Sequence, residues 1–338
     1  MSSRLVIASL LVMALIACGK KREAPRAGDD AGKNVGNVIG DAGAGSAIPA
    51  TDARIDPKEA VAQFDKACIA GDFEACRNLG VMYTEGIGVT ADPRRATALF
   101  AQACNGGNLA ACNHVALALA EGMGTEKDVA KAIELYTKAC DGGYALACRN
   151  VGLMLRDGRG VPADLARAET LLGKACTGGA PFACTNAGDL DKALATKPGE
   201  AKDARYRQML ERYKQGCEAG DPSACRSIGI SYLEGVGLPK STGAGAVWLA
   251  RACERDDVIA CRVIGAMTLQ GIGVKQDVAR GRELLQRACD RKDAEACGVL
   301  KASGGSAGDS PAGAVRDAGP TNGPTASDAA LPGATPRE

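Results

Sequence analysis

Cysteine is the residue type best placed to do chemistry in this 338-residue chain, because fourteen of its 15 cysteines follow a fixed spacing. The two members of each pair stand eight positions apart, and successive pairs repeat every 36 positions, except for one step of 41 between the fourth and fifth pairs. The pairs are Cys68–Cys76, Cys104–Cys112, Cys140–Cys148, Cys176–Cys184, Cys217–Cys225, Cys253–Cys261 and Cys289–Cys297. Paired cysteines serve as disulfides, as metal ligands or as redox thiols.

The spacing argues against metal binding and redox catalysis. Zinc sites use closely spaced pairs such as Cys-x2-Cys with further cysteines or histidines, whereas here seven residues separate the two cysteines and His114 is the only histidine. No Cys-x-x-Cys motif, the usual setting of a low-pKa redox thiol, is present. The sequence therefore predicts disulfides, with no metal site and no cofactor.

The residues before each pair indicate a helix. Position −4 from the first cysteine is always large and apolar, while positions −8 and −1 are mostly small, so these residues share one helical face. The residues at −4 are Phe64, Phe100, Tyr136, Leu172, Tyr213, Leu249 and Leu285. Position −12 holds helix N-cap residues. These are Asp56, Asp92, Asp128, Asp164, Ser241 and Asp277.

A second helix follows the turn between the two cysteines. Most of these turns contain glycine, which readily adopts the left-handed conformation that ends a helix. Four residues after the second cysteine a small residue lets two helix backbones approach closely. The small residues are Gly80, Ala116, Gly152, Gly188, Gly229 and Gly265. A Gly-x-Gly turn, such as Gly86-Ile87-Gly88, then ends the second helix.

Two helices and two tight turns therefore make one 36-residue unit. The first cysteine ends one helix and the second begins the next, so their Cα atoms can reach the roughly 5.5 Å separation of a disulfide. On the chain-entropy model each bridge contributes about 2.5 kcal/mol. The sequence predicts an all-α fold, a right-handed α-solenoid of about seven such repeats over residues 56–300, with a tetratricopeptide array as the nearest alternative.

The fourth unit, residues 185–216, departs from this pattern. Its turn reads Ala195-Thr196-Lys197-Pro198-Gly199-Glu200 in place of Gly-x-Gly, and the helix near residues 203–216 is longer and more charged. The five extra residues predict a bulge or a change of superhelical curvature. We interpret them as a tolerated insertion, with a functional patch as the alternative.

Residues 1–17 have the composition of an export signal. Arg4 precedes an apolar run that is too short to span a bilayer. The run ends in Leu15-Ile16-Ala17-Cys18, which resembles the bacterial lipobox and predicts lipidation of Cys18 as a membrane anchor. An ordinary cleaved signal with a chance cysteine is the alternative. Because Gly19 replaces the aspartate typical of inner-membrane retention, we expect the outer membrane, on its periplasmic or outer-surface side.

The two segments that flank the repeats are poor in large apolar residues. Residues 18–55 and 301–338 are rich in Gly, Ala and Asp, and such compositions bury too little apolar surface to offset the entropy of ordering. We expect the lipidated Cys18 with a flexible tether at one end and a disordered tail at the other. The formal net charge of +1 gives no signature of nucleic-acid binding.

The consensus A-x-x-L-[FYL]-x-x-A-C-x-x-G-D-x-x-A-C-x-x-[LV]-G-x-x-[YL]-x-x-G-x-G-V-x-x-D resembles the Sel1-like repeat family, whose units are tetratricopeptide-like. The cysteine pair in every unit resembles the disulfide-rich secreted branch of that family, the cysteine-rich proteins of Helicobacter. The resemblance implies a scaffold or adaptor that binds a protein or peptide on its concave face.

Members of the cysteine-rich branch have been classed as penicillin-binding proteins or β-lactamases, so the resemblance also implies such a hydrolase, or a protein that binds β-lactams or peptidoglycan fragments. No Ser-x-x-Lys motif occurs, and a single histidine cannot form a metallo-lactamase site. The segment Lys240-Ser241-Thr242-Gly243 has the wrong spacing and stands at a helix start. His114 occupies a position that Asn78, Asn150 and Asn186 fill in other units. We therefore predict no catalytic residue.

The sequence favours a membrane-anchored envelope lipoprotein that binds an unidentified protein or peptide as a non-catalytic repeat scaffold. The alternatives are the β-lactamase-like hydrolase or β-lactam-binding protein, and a purely structural envelope protein.

Overall fold

A computed structural model describes residues 56–303, and the predicted signal, Cys18, the tether and most of the tail lie outside this range. Within it, fourteen α-helices alternate with short turns and no strand is present. The all-α repeat solenoid that the sequence predicts is therefore confirmed, with a disulfide at the end of each hairpin. None of the helices in the described range is long and apolar enough to span a membrane.

The described residues form two compact units, 56–186 and 187–303. The first contains α1 (Pro57–Ile69), α2 (Phe73–Glu85), α3 (Pro93–Asn105), α4 (Leu109–Glu121), α5 (Val129–Asp141), α6 (Ala145–Asp157), α7 (Leu165–Thr177) and the start of α8 (Ala183–Leu194). The second contains the rest of α8, α9 (Lys202–Glu218), α10 (Pro222–Glu234), α11 (Thr242–Glu254), α12 (Val258–Gln270), α13 (Val278–Asp290) and α14 (Ala294–Ala302). We call the odd-numbered helices first helices and the even-numbered ones second helices.

Six of the seven first helices begin at the N-cap residue that the spacing predicts. In α3, Asp92 accepts hydrogen bonds from the backbone N–H groups of Arg94 at 3.0 Å and Arg95 at 3.1 Å. Each such bond satisfies an amide that has no partner inside its helix. The exception is α9, which follows Ala201 and has no side-chain cap.

The turn between paired cysteines ends one helix and starts the next. Between α3 and α4, Gly107 adopts a φ of 92°, and the N–H of Asn108 donates to the carbonyl oxygen of Ala103 at 3.0 Å. The side chain of Asn108 then accepts from the N–H of Ala111 at 2.9 Å. Because this one short turn ends α3 and starts α4, Cys104 and Cys112 lie side by side.

Close contacts between consecutive helices depend on glycine in the second helix. A Cβ atom on Gly80 would lie 2.6 Å from Cε1 of Phe100, and one on Gly152 would lie 2.9 Å from Cγ of Leu172. Real Cβ atoms essentially never show contacts under 3.0 Å. The prediction that these small residues permit close helix packing is confirmed, and the partner is the large residue at −4.

The cores of both units are thin. In residues 56–186 the most deeply buried large side chains are Leu79, Tyr136, Val151 and Leu172. In residues 187–303 they are Met209, Tyr213, Ile228, Leu249, Met267 and Leu285. Alanines at −1, such as Ala103 and Ala139, are fully buried between these large residues. A core of this depth needs few aromatic side chains, which matches an aromatic content of 3%.

The irregular fourth unit differs by a longer first helix. Helix α9 has 17 residues where α1 has 13, so it extends beyond the predicted residues 203–216 in both directions. The final helix α14 ends at Ala302, just inside the segment expected to be a disordered tail.

The second glycine of the Gly-x-Gly turn provides a test of close packing. Gly124 has a φ of 66°, and a Cβ atom there would collide with the backbone carbonyl of Pro93. Gly107 also has a positive φ but faces open space. We expect Gly107→Ala to lower the free energy of unfolding by about 1 kcal/mol, through backbone strain alone. We expect Gly124→Ala to lower it by about 3 kcal/mol, because overpacking adds to that strain.

The measurement is denaturant unfolding of the oxidised protein, followed by circular dichroism. Equal shifts for the two variants would show that the backbone contact at Gly124 does not limit packing.

Candidate interaction surface

The seven cysteine pairs lie at seven tight turns, and the two sulfurs of each pair are bonded. Their Cα–Cα separations run from 4.4 Å in Cys176–Cys184 to 4.8 Å in Cys217–Cys225. Such separations lie within the range of ordinary disulfides. All fourteen cysteines in the described range are disulfide-bonded, so none of them offers a thiol for catalysis or metal binding.

His114 lies flat against an aromatic ring. Its ring centroid is 4.4 Å from that of Phe100, with an angle of 13° between the two planes. Burial, with a smaller contribution from the positive charge of Arg77, lowers the pKa of His114 to about 4. The neutral form therefore stabilises the fold above pH 6.5, and this contribution is lost as the pH falls towards 4. His114 is therefore a packed aromatic side chain at a repeat position where other units have asparagine.

The other residues that could act in catalysis or metal binding have structural roles. The hydroxyl of Ser241 accepts from the N–H of Ala244 at 3.2 Å and caps α11, as its place at a helix start predicts. Within residues 56–303, no cluster of three or more His, Cys, Asp and Glu side chains could hold a metal ion. An open groove of about 600 Å³ beside Tyr83 contains a single carboxylate, Asp92, which already caps α3.

Polar side chains join successive second helices in residues 56–186. The buried Arg77 donates to Glu74 at 2.7 Å, and Glu74 accepts from Asn108, the N-cap of α4, at 2.6 Å. Asn150 of α6 donates to Asn113 of α4 at 2.9 Å. The bonds of Asn108 to Glu74 and of Asn150 to Asn113 join residues more than 30 positions apart and hold one second helix against the previous one.

The same links recur in residues 187–303 as ion pairs. Arg226 of α10 contacts Asp257, the N-cap of α12, at 2.5 Å. Arg262 of α12 contacts Asp293, the N-cap of α14, at 3.4 Å, and also pairs with Glu295. The caps of the second helices therefore contribute to stacking as well as to helix initiation.

In residues 56–186, the residue two positions after each second cysteine is partly exposed. We define the asparagine row as Asn78 on α2, His114 on α4, Asn150 on α6 and Asn186 on α8. Asn78 accepts from Arg77 at 2.8 Å, and Asn186 accepts from Arg149 at 2.9 Å. In these bonds Asn78 and Asn186 use the amide oxygen, and Asn150 uses the amide nitrogen.

Apolar side chains flank the row one helical turn earlier. Leu146 precedes Asn150 by four residues and is partly exposed. Phe182 precedes Asn186 by four residues and is 40% exposed. Amide groups with apolar neighbours on one face are the features that peptide-binding grooves use.

Sequence reasoning missed a buried ion network in the irregular fourth unit. Asp191 is fully buried and lies 2.8 Å from Nε of Arg212 and 3.6 Å from Nη1 of Arg205. Arg205 also contacts Glu200 at 2.9 Å. Beside it, Tyr213 donates to Asp189 at 2.7 Å, and burial with this carboxylate raises the pKa of Tyr213.

The sequence did carry a signal for this network. Asp191 stands seven residues after the second cysteine, where other units have an apolar or aromatic core residue such as Leu119, Leu155 or Tyr232. A carboxylate at a periodic core position requires a buried partner. No Gly-x-Gly turn lies between α8 and α9, and this ion network joins the side chains of the two helices.

The stacked helix hairpins define the protein as an α-solenoid of the repeat class. The profile of the Sel1 repeat matches residues 73–108, 109–144, 145–179, 222–257 and 258–293, more than half of the chain. The chain therefore belongs to the Sel1 repeat family. The unmatched stretch 180–221 contains the irregular unit. No curated protein matches the chain.

Solved structures are similar to this chain. A protective antigen present in uropathogenic Escherichia coli strains, with an SLR fold, is 26% identical with a TM-score of 0.62, over 72% of this chain and 52% of the antigen. The chain thus spans about half the length of that antigen. A Sel1 repeat protein from Oxalobacter formigenes is 25% identical with a TM-score of 0.61, over 69% of this chain and 94% of its own. Cysteine rich protein B of Helicobacter pylori is 24% identical with a TM-score of 0.33, over 41% and 96%.

Each family repeat begins at a second helix, so the two cysteines of a bridge can belong to different repeats. Cys104 belongs to the repeat at 73–108 and Cys112 to the repeat at 109–144. Cys253–Cys261 likewise joins the repeats at 222–257 and 258–293. Each bridge between matched repeats therefore connects two neighbours and does not close a single repeat.

The buried network supplies a stability test. Asp191→Ala leaves the guanidinium groups of Arg205 and Arg212, each largely buried, without their shared carboxylate. We expect the free energy of unfolding to fall by about 3–5 kcal/mol. The control is Asp65→Ala, which removes an exposed ion pair to Arg95 at 3.6 Å and should cost less than about 1 kcal/mol.

Denaturant unfolding measures both variants, together with the triple variant Asp191→Leu/Arg205→Met/Arg212→Met. The triple variant should recover most of the loss, because it removes all three charges. An Asp191→Ala variant no less stable than Asp65→Ala would rule out a structural role for the network.

Proposed function

We propose that the chain is an exported lipoprotein whose helical repeats bind an extended segment of another protein without catalysing a reaction. The observation that carries this proposal is the asparagine row on successive second helices of residues 56–186. The anchor, the compartment and the binding surface each rest on separate arguments.

The disulfides support an extracytoplasmic location. Structural disulfides persist in oxidising compartments and are rare where cytosolic thiols keep cysteines reduced. Seven bridges in one chain, all at equivalent turns, suit the cysteine-rich secreted branch of the Sel1 repeat family. They also constrain a thin core that buries few large side chains.

The lipobox-like segment at Leu15–Cys18 supports membrane attachment. Acyl chains on Cys18 would hold the protein at a membrane, each buried methylene contributing about 0.8 kcal/mol. Gly19 in place of aspartate favours the outer membrane. The segment up to Asp56 would then separate the membrane from the first helix.

The asparagine row supports binding of a polypeptide main chain. A carboxamide presents a hydrogen-bond donor and an acceptor, as a backbone peptide group does. Amides repeated on α2, α6 and α8 can therefore contact an extended segment with little dependence on its sequence. Leu146 and Phe182 would accept apolar side chains of that segment, in the way that peptide grooves combine main-chain bonds with side-chain pockets.

A non-catalytic role agrees with the chemistry of the described residues. The cysteines are bonded, Ser241 is a cap and His114 is stacked on Phe100 with a lowered pKa. These candidates for nucleophile or base are therefore engaged in holding the fold.

The binding surface is tested with a displayed library of random 12-residue peptides, selected on the oxidised wild-type chain. For the enriched peptides we expect the triple variant Asn78→Ala/Asn150→Ala/Asn186→Ala to bind at least about tenfold more weakly, since each lost hydrogen bond contributes about 0.5–1.5 kcal/mol. The matched control is Asn105→Ala, an exposed asparagine at the end of a first helix.

Two further measurements make this test decisive. Thermal unfolding shows whether the triple variant is intact, and Phe182→Ala probes the same face without removing a side-chain hydrogen bond. No enriched peptide, or unchanged affinity for both the triple variant and Phe182→Ala, would contradict binding at the asparagine row.

Membrane attachment is tested by cell fractionation of a bacterial host that processes lipoproteins. We expect wild type in the membrane fraction and Cys18→Ala in the soluble periplasmic fraction. The control is the double variant Cys68→Ala/Cys76→Ala, which removes two cysteines but should remain membrane-bound. Intact mass should show acyl groups on Cys18 and a gain of about 14 Da on reduction, two hydrogens per bridge. Identical fractionation of wild type and Cys18→Ala would disprove the anchor.

A further inference from the structure

The last disulfide of residues 56–303 differs from the other six in its exposure. The twelve cysteines of the first six bridges, from Cys68–Cys76 to Cys253–Cys261, are 0–8% exposed. In the last bridge, Cys289 on α13 and Cys297 on α14 are both partly exposed. Access to the sulfurs is one of the factors that set the rate at which a thiol attacks a disulfide. The last bridge is therefore the one that a thiol in solution can reach most readily.

An arginine of the following hairpin lies against each of the two preceding bridges in residues 187–303. Arg255, in the turn between α11 and α12, lies 3.4 Å from Sγ of Cys225 and donates to the carbonyl oxygen of Cys217 at 2.5 Å. Arg287 on α13 donates to the carbonyl oxygen of Cys253 at 3.3 Å. Within the described residues no hairpin follows α14, so none of them covers the last bridge in this way.

The side of α14 next to Cys297 is open as well. A Cβ atom on Gly298 would face open space. In α10 and α12 the same repeat position holds Arg226 and Arg262, which pair with residues of the following second helix or its N-cap. At Gly298 no side chain of this kind shields the neighbouring cysteine.

Helix α14 has fewer buried residues than the other second helices to hold it in place. It has 9 residues, of which Ala296 and Leu300 are buried, whereas α12 has 13 residues, of which Ala260 to Thr268 are buried. Helices this short are unstable on their own and depend on their packing. The Cys289–Cys297 bridge ties α14 to α13, so its loss should leave α14 weakly held.

We propose that Cys289–Cys297 is a thiol–disulfide exchange site, and that its reduction by a dithiol releases α14 from the end of the array. One thiol of the dithiol loses its proton and attacks a sulfur of the bridge. A mixed disulfide forms, the bond between the two cysteines breaks, and the sulfur that leaves takes up a proton.

The second half of the exchange completes the reduction. The remaining thiol of the dithiol loses its proton and attacks the mixed disulfide, which closes a disulfide within the dithiol and frees the other cysteine as a thiol. Two electrons and two protons thus pass from the dithiol to the bridge. The six buried bridges stay oxidised under the same conditions, because the dithiol cannot reach their sulfurs.

Limited reduction of the full oxidised chain with dithiothreitol, followed by alkylation and peptide mass spectrometry, tests the exchange site. We expect Cys289 and Cys297 to be alkylated at least about tenfold faster than the twelve cysteines of the other bridges. In a denaturant that unfolds the chain, the seven bridges should be reduced at similar rates, since the difference comes from burial. A last bridge that is reduced no faster than the others in the folded chain would overturn the proposal, as would a preference that persists in denaturant.

Hydrogen exchange tests the release of α14. We expect amides in residues 295–302 to exchange at least about tenfold faster in Cys289→Ser/Cys297→Ser than in wild type, and equally fast in wild type reduced only at this bridge. The matched control Cys68→Ser/Cys76→Ser, at the opposite end of the array, should leave these amides protected. Residues 258–270 should stay protected in both variants, which shows that the array is folded.

Two outcomes of the exchange measurement contradict the release. Unchanged protection of residues 295–302 after the bridge is removed would show that α14 does not depend on it. Loss of protection that extends through residues 258–270 would show that the bridge supports the array as a whole. Either result would overturn the proposal.

Discussion

The close approach of consecutive helices is the constraint on which this structure depends. In five of the seven hairpins of the described residues, a glycine of the second helix lies directly beneath the large residue at −4 of the next first helix, as Gly80 lies beneath Phe100. Because the backbones are so near, buried alanines fill the remaining space and the core is only two helices deep. In residues 187–303 the helix backbones themselves come into contact, since a Cβ on Gly229 would lie 3.0 Å from the carbonyl oxygen of Gly245. Two glycines then face each other across the helix interface.

A thin core of this kind gives each repeat little stability of its own, so the interfaces between neighbours decide whether the array folds. The disulfides act at those interfaces, because Cys104–Cys112 and its counterparts join one family repeat to the next. On the chain-entropy model each bridge contributes about 2.5 kcal/mol, which strengthens the coupling between repeats. The polar links between second helices, such as Arg226 with Asp257, act across the same interfaces.

The features that the sequence predicted are those that recur at short, fixed spacings. The N-caps such as Asp92 and the bonded cysteines depend on neighbours within about one helix turn or one tight turn, and the glycines such as Gly80 recur at a fixed distance from a cysteine. The ion network at Asp191 and the links between second helices join residues far apart in sequence, so they required the stacked structure. Two turns also break the glycine rule, since Asp256 and Lys292 adopt a φ of 67° where other turns have glycine. There the tight turn is kept in spite of backbone strain.

The repeat places two polar positions next to each other near the start of its second helices. The residue directly after the second cysteine, such as the buried Arg77 or Arg262, contributes to the polar links between helices. The next residue along the helix is partly exposed in residues 56–186, where it forms the asparagine row. In α10 and α12 this position holds Ser227 and the buried Val263, so the row of amides does not continue there. Because Val263 belongs to the core, a binding surface made of these amides would lie within residues 56–186 alone.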